Sequence, residues 1–260
     1  MMAKDKPSQY FLTTLEKGLK ILTLFTVERP TLSRVEISRL TGINMTSTYR
    51  FIDTLTTLGY LKKDGRTKLL ELGPAAFSLG HNFIQNFSLL NIVRPHLDRI
   101  YEQHNMSVDS VVFSGDTMLL LYRRYTNDTV SFNPPHISGD VFHCTAVGKV
   151  ILAHLPLTEF NAFRDQLPLT RLTPQTITER EKLIAGLEKI RKQGYAVNRE
   201  EYVEDLVAIA APLMNRRTNR PIGAISFDFT TRTHSAESIQ REYAGLIRKL
   251  AAEISQQISL

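Results

Sequence analysis

The sequence predicts an α+β protein in two parts. Three observations lead there. Helical periodicity with two capping patterns fills the first 58 residues, an Asp-Gly turn between short strand-like runs follows, and beyond residue 106 strand patterns are grouped apart from helical ones. Charge divides the same way. Residues 1–80 carry twelve Lys/Arg against seven Asp/Glu, so they hold nearly all of the chain's net +6. A basic module beside a near-neutral one suits a nucleic-acid binder with a second task, although chance surface charge gives the same count.

Leu12, Leu15, Leu19 and Leu22 recur at helical spacing, which predicts an amphipathic helix over 11–27 ended by Glu28-Arg29-Pro30. Ser33-Arg34-Val35-Glu36 is a capping-box pattern opening a short second helix, and Gly42 is free to take the left-handed conformation at its end. Asn44 caps a third helix over 45–58, closed by Gly59. Two short helices split by a tight turn make a helix-turn-helix. Tyr60–Lys63 and Arg66–Leu70 flank Asp64-Gly65, a type I′ turn signal, so a hairpin forms the wing. Residues 74–90 read as a linker helix, and Arg94-Pro95 starts another with Leu97, Ile100 and Tyr101 as its buried stripe. Ser107–Phe113 and Met118–Tyr125 read as a hairpin about Ser114–Thr117. Thr145–Leu155 reads as helical. Thr178–Glu181 is a capping box before a helix bearing Leu183, Leu187 and Ile190, ended by Gly194. Strands Leu206–Leu213 and Pro221–Phe229 follow, then a long helix carrying Ile239, Tyr243, Leu246, Leu250, Ile254 and Ile258.

No apolar run approaches the roughly 18 residues of a membrane span. Met1–Gln9 is short and polar, without a hydrophobic signal core, so a cytoplasmic address is expected and no membrane partner. Cys144 is the single cysteine; an intramolecular disulfide and a tight thiolate zinc site are both excluded.

On the third helix Thr48, Phe51, Ile52, Leu55 and Leu58 cluster on one side, and Thr46, Tyr49, Arg50, Asp53 and Thr57 lie opposite. The polar side fits a major groove, with Arg50 for guanine or phosphate and Thr46, Ser47 and Tyr49 for phosphate or base edges. Asp53 either accepts from a cytosine amine or points away. On the hairpin, Lys62, Lys63, Arg66 and Lys68 suit phosphate or minor-groove contact.

In the second part, Thr145 can cap the helix that follows, presenting the N–H groups of Ala146, Val147 and Gly148 to a carboxylate. Gly148 removes bulk there. Along Ile222–Phe229, alternation puts Ala224, Ser226 and Asp228 on one face and Ile225, Phe227 and Phe229 on the other. Ala208 and Ala210 repeat the small face on the preceding strand. Small polar neighbours leave room for a ligand; a covering helix would also favour alanine. Adjacent His143 and Cys144 point to opposite sides of an extended segment, which does not make a nucleophile with its base. His136 and His143 have no accompanying metal motif and read as core or capping residues. Of Arg123 and Arg124, at most one can face a pocket, and a surface position is the plainer reading.

These segments resemble the IclR family of bacterial transcriptional regulators over almost the whole chain. Ile37-Ser38-Arg39-Leu40-Thr41-Gly42-Ile43, Thr46-Ser47-Thr48-Tyr49-Arg50-Phe51-Ile52, Thr54-Leu55, Leu58-Gly59-Tyr60 and Leu72-Gly73 resemble its DNA-binding half. Gly139 with His143-Cys144-Thr145-Ala146-Val147-Gly148-Lys149 and Leu152-Ala153, Gly194–Glu201, and Ala210-Ala211-Pro212 with Gly223–Ser226 resemble its sensor half. The resemblance implies a GAF-like sensor, a dimer or tetramer, operator control by a metabolite, and effector contacts at Ala146, Val147, Asn198, Ala208, Ser226 and Asp228. Three positions depart from the pattern: Met45 stands for a frequent Lys, Asn198 for the usual Asp, and Asp228 for a small Ser. The last two change pocket polarity, so the effectors of relatives do not carry over.

The expected organisation is thus a winged helix-turn-helix over 1–73, a linker helix over 74–90 and a GAF-like, antiparallel-sheet effector domain over 91–260. The expected DNA-binding set is Ser33, Arg34, Met45, Thr46, Ser47, Tyr49, Arg50, Lys62, Lys63, Arg66 and Lys68. The expected effector set is Cys144, Thr145, Ala146, Val147, Gly148, Asn198, Ala208, Ser226 and Asp228. The expected function is repression or activation of a catabolic operon by a homodimer or dimer of dimers on double-stranded operator DNA. A small carboxylate or aromatic acid is the expected effector, with no cofactor, metal or catalysis. The rivals are an enzyme with an adaptor domain and a protein-binding scaffold.

Overall fold

The computed structural model describes residues 9–26, 29–86, 88–127 and 139–258. Glu28, expected at the end of the first helix, and His136 lie outside these residues. The chain divides between residues 87 and 88 into two compact units.

The first unit contains helices α1 (Thr13–Leu22), α2 (Arg34–Thr41) and α3 (Met45–Thr57), strands β1 (Leu61–Lys63) and β2 (Leu70–Leu72), and helix α4 (Pro74–Asn86). Ser33 and Glu36 form the expected capping box, and Gly42 ends α2 at φ +70°. Asn44 caps α3 by accepting from the Ser47 N–H at 2.9 Å. Ile21, Phe25, Leu32, Ile37, Ile43, Ile52, Leu61 and Leu70 form the core. Of the leucine stripe predicted for α1, only Leu22 packs against this core. Leu12, Leu15 and Leu19 are 68%, 59% and 55% exposed, because Ile21 and Phe25 are the residues that turn inward. Leu58, expected in the core, is also exposed.

The hairpin differs from the two-residue turn expected of Asp64-Gly65. Lys63 pairs with Leu70, leaving residues 64–69 as the loop. Asp64 Oδ1 accepts from the N–H groups of Arg66 and Thr67, which curls the loop about its own carboxylate. Gly65 is not left-handed; Lys68 takes that conformation instead, at φ +62°. Arg66 and Lys68 therefore lie on the loop, and Lys62 and Lys63 on the strand. At the base of the wing, a Cβ on Gly73 would sit 2.2 Å from the Gly59 carbonyl oxygen, so this close backbone approach requires glycine.

The second unit begins with α5 (Ser88–His104), then β3 (Ser107–Ser114), β4 (Thr117–Arg124), α6 (Ala146–His154), α7 (Leu157–Arg164), α8 (Arg180–Gln193), β5 (Ala196–Arg199), β6 (Leu206–Asn215), β7 (Arg220–Thr230) and α9 (Ala236–Gln257). Residues 88–90 are thus the first turn of α5 rather than the end of a linker helix. α5 runs through Pro95 instead of starting there. Leu89, Val93, Leu97 and Ile100 make one buried stripe across it, and their burial outweighs the backbone bond that proline removes. Glu179, not Thr178, caps α8, without a side-chain bond; the Thr178 hydroxyl accepts from Arg171 instead.

The five strands form an antiparallel sheet in the order β4-β3-β7-β6-β5. α5 and α9 cover one face and α6, backed by α8, covers the other. Ile225, Phe227 and Phe229 are buried, and the two phenylalanines meet Tyr243 of α9. Ala208, Ala210 and Ala224 lie in the core that includes α6.

Glycines in the two helices of the α6 side should respond oppositely to substitution. A Cβ on Gly148 would lie 2.5 Å from the Phe142 backbone, whereas one on Gly186 of α8 meets nothing within 4 Å. Gly148→Ala should destabilise by roughly 1–3 kcal/mol through overpacking. Gly186→Ala should stabilise by about 0.5–1 kcal/mol. Urea denaturation checks both signs.

Candidate functional site

The first unit presents a polar helical surface. On α3, Met45, Thr46, Tyr49 and Arg50 are exposed and Ser47 half-buried, while Thr48 and Ile52 face inward. The Thr48 hydroxyl donates to the Ile43 carbonyl at 3.2 Å, which ties α3 to the preceding turn. Ser33 and Arg34, at the start of α2, are half-buried, and the Arg34 guanidinium lies 5.4 Å from the centre of the Tyr49 ring. Tyr49 is thereby braced across the helix pair. Lys62, Lys63, Arg66 and Lys68 are all exposed. Lys62 pairs with Glu71 across the hairpin at 3.2 Å, and the Lys68 ammonium donates to the Gly65 carbonyl. An exposed pair of this kind is weak and exchanges readily for a phosphate.

The second unit holds a cavity between α6 and the sheet. Its lining includes Thr145, Ala146, Val147, Asn198, Ala208, Ser226 and Asp228, all expected there from the sequence. Asp109, Val111, Leu120, Arg123, Tyr202 and Leu206 complete it. Cys144 and Gly148 are not part of the lining. The Cys144 side chain is buried and points its Sγ toward the Val141 carbonyl; burial pushes the thiol pKa up to about 12, so it stays protonated. Gly148 turns to the Phe142 backbone, and its N–H is taken by the Thr145 hydroxyl at 3.1 Å. The N–H groups of Ala146 and Val147, in the first turn of α6, have no carbonyl one turn behind them within the helix. The cavity measures about 40 Å³, room for two or three waters.

Asp109 interrupts an apolar strand and Arg123 pairs with it in register on β4. A bulge brings the arginine there. Ser110 pairs with Tyr122 but Val111 with Leu120, so Leu121 is extra, and Leu120 and Arg123 reach the same cavity. Tyr122 and Arg124 turn the other way, to Asp98 of α5. The Arg123 fork donates to both oxygens of Asp109, at 2.6 Å for Nε, and stands 3.8 Å from Asp228. Asp228 shares the cavity wall with Asp109 and Ser226. Burial, then the Asp109 charge, hold its carboxyl well above the usual carboxylate range, with Arg123 opposing. Asp228 is therefore driven toward its neutral form, facing a second carboxyl group and a guanidinium.

Asn198 lines the cavity with its amide already engaged. Its Nδ2 donates to the Cys144 carbonyl at 2.9 Å and its Oδ1 accepts from the Glu201 N–H at 2.8 Å. An aspartate could make only the second bond. Beside it, Lys149 of α6 and Glu201 form a buried ion pair, and Lys149 also donates to the Val197 carbonyl at 3.3 Å. His143 is buried with Nε2 3.0 Å from the Thr170 carbonyl oxygen, and burial lowers its pKa. Among the described residues no group of three or more His, Cys, Asp or Glu could hold a metal ion.

The family descriptions match both units. "IclR helix-turn-helix domain" matches residues 14–65 and "Bacterial transcriptional regulator IclR C-terminal" matches residues 81–256. The chain belongs to the IclR family. The regulator KdgR of Escherichia coli (strain K12) is 30% identical to this IclR-family chain over 230 residues, covering 86% of it and 84% of KdgR. The Pca regulon regulatory protein of Pseudomonas putida is 29% identical over 204 residues, covering 78% and 69%. The Thermotoga maritima IclR crystal structure superposes with a TM-score of 0.71 at 24% identity, covering 96% of this chain and 100% of that one. An IclR homologue from Microbacterium hydrocarbonoxydans, crystallised with 4-hydroxybenzoate, gives 0.78 at 21%, covering 94% and 98%. No helix among the described residues is long and apolar enough to cross a membrane.

The raised Asp228 pKa has a measurable consequence. The folded regulator holds a proton there that the unfolded chain releases, so this group's share of stability is present at low pH and declines as pH climbs through the folded-state pKa. Asp228→Asn removes that decline. The melting temperature of the variant minus that of the wild type should grow as pH rises above the ordinary carboxylate range in thermal denaturation; a constant or shrinking difference contradicts the assignment.

Proposed function

We propose that this IclR-type regulator binds double-stranded operator DNA as a homodimer or dimer of dimers and changes its grip when a small carboxylate occupies the cavity under α6. In this reading α3 enters the major groove, with Thr46, Tyr49 and Arg50 at the bases and Ser47, Met45, Ser33 and Arg34 along the backbone. Lys62, Lys63, Arg66 and Lys68 take phosphates from the wing. The carrying observation is the exposure of Thr46, Tyr49 and Arg50 on a helix whose other face is core, beside four exposed cations on one hairpin. The small cavity lined by Ala146 and Val147, in the first turn of α6, supports the sensor half, as does the neighbour crystallised with an aromatic acid. The regulator then represses or activates a catabolic operon in the cytoplasm, with neither cofactor nor catalysis.

The exposed leucines of α1 support pairing of two copies. Leu12, Leu15 and Leu19 form an apolar stripe at helical spacing that the unit's own core leaves uncovered. A single wing and recognition helix offer too small an interface for usual operator affinities, and two copies about one helical turn apart supply the rest.

Two measurements follow. Binding of the full chain to random-sequence duplex should weaken in Lys63→Ala/Arg66→Ala, and the log–log salt slope should become shallower by roughly one for each phosphate that the variant leaves unneutralised. Unchanged affinity and slope would exclude the wing. Leu15→Glu/Leu19→Glu should shift sedimentation toward monomer and cost DNA affinity at equal protein concentration; an unaltered dimer would exclude the α1 stripe.

A further inference from the structure

We propose that a second, larger cavity of the second unit binds an organic cation with a flat apolar body, a primary amine carried on an aromatic ring system being the plainest example. The cavity measures about 730 Å³ and lies between α7, the β3–β4 turn and the start of β7. It shares no lining residue with the cavity under α6, so the proposal does not rest on the carboxylate reading above. Small-molecule sites typically measure roughly 300–1,000 Å³, so this space admits a bicyclic ligand whole.

The floor is apolar and aromatic. Phe113 of β3 and Phe163 of α7 each meet Phe142 edge-on, with ring centres 5.8 and 5.1 Å apart, and Phe142 is itself fully buried. Phe113 and Phe163 are half-buried and line the cavity together with Leu155, Ala162, Leu167 and Pro168. Packing on Phe142 holds both rings in place, so the area they leave uncovered is a preformed surface for another ring.

Charge decides the sign of the ligand. Asp116, Asp140, Glu159 and Arg220 are the charged residues of the lining. Three carboxylates against one guanidinium leave −2 on this wall, in a chain of net +6. Glu159 and Arg220 pair with each other at 2.5 Å, which leaves Asp116 in the β3–β4 turn and Asp140 in the single helical turn Gly139–Val141. Asp116 accepts from the Thr117 hydroxyl at 3.0 Å, and no lysine or arginine among the described residues stands within 4 Å of either carboxylate. An anion entering here is repelled. A neutral ring gains only the floor. An ammonium on a ring gains the floor and both carboxylates, and a cation over a phenylalanine face is attracted further.

Calorimetric titration of the full chain tests this with tryptamine, tryptophol and indole-3-propanoate. The three share an indole ring and a two-carbon arm and differ in the group at its end: ammonium, hydroxyl or carboxylate. Tryptamine should bind at least about tenfold more tightly than tryptophol, and indole-3-propanoate more weakly than both. Added salt should weaken tryptamine and leave tryptophol unchanged. Asp116→Asn/Asp140→Asn, which keeps the shape of the wall, should bring tryptamine down to the level of tryptophol. Ala162→Trp, at an exposed position of α7, should fill the cavity and abolish tryptamine binding, with circular dichroism checking that both variants fold. Tryptophol binding as tightly as tryptamine, no binding of tryptamine, or an affinity unmoved by either variant would overturn the proposal. So would a shift of sedimentation toward monomer in Ala162→Trp, since the cavity would then be a contact between copies of this chain.

Discussion

Arg123, held between Asp109 and Asp228, is the constraint on which the cavity under α6 depends. Three charged or chargeable groups sit beneath a covered sheet, where each would be costly alone. Together they are tolerable. One guanidinium faces one carboxyl group, and burial beside it pushes the second toward its neutral form. Removing one partner of a buried pair typically costs about 3–5 kcal/mol, so the arrangement is fixed once formed. It also shapes the space around it. α6 cannot settle on a charged patch as it does on the alanines of β6 and β7, and the cavity lies where those two surfaces part.

A second buried pair fixes the opposite wall. Lys149 of α6 reaches Glu201 just past β5, and Asn198 bridges the Cys144 carbonyl to the Glu201 N–H. The start of α6, whose Ala146 and Val147 line the cavity, is therefore tied to the segment between β5 and β6 by ionic and hydrogen bonds together. A ligand drawn between Asp228 and Ala146 would pull on two elements that are each anchored elsewhere. Such an arrangement turns occupancy into a choice between discrete packings instead of a gradual deformation. In the first unit the equivalent constraint is capping. Ser33 and Asn44 set where α2 and α3 begin, and that phase leaves Thr46, Tyr49 and Arg50 outward.

The order of elements was legible because local signals and tertiary packing agree over most of the chain. Capping residues marked helix starts, Gly42 marked an end, and alternation on β7 separated Ser226 and Asp228 from Phe227. Where they disagree, packing wins. The α1 leucines have perfect helical spacing, yet the core takes Ile21 and Phe25, since periodicity identifies an apolar face but not its partner. Pro95 reads as a helix start, yet four buried residues carry α5 through it. Asp64-Gly65 reads as a tight turn, yet the Asp64 carboxylate finds better partners in the N–H groups of Arg66 and Thr67. Half of the cavity was beyond reach for a similar reason. Asp109 carried a signal, a charge inside an apolar strand, but Arg123 faces inward only because of a bulge that alternation does not foresee. Tyr202 comes from a segment without periodicity.

Amide hydrogen exchange of the full chain, with and without a saturating small carboxylate selected by thermal shift, tests most directly whether the charged wall and the start of α6 act as one binding site. Exchange should slow at Ala146 and Val147, at Asn198 and along the strand segments bearing Asp109, Ala208 and Asp228. Unchanged exchange at these positions, or slowing confined to other parts of the chain, would contradict a single site.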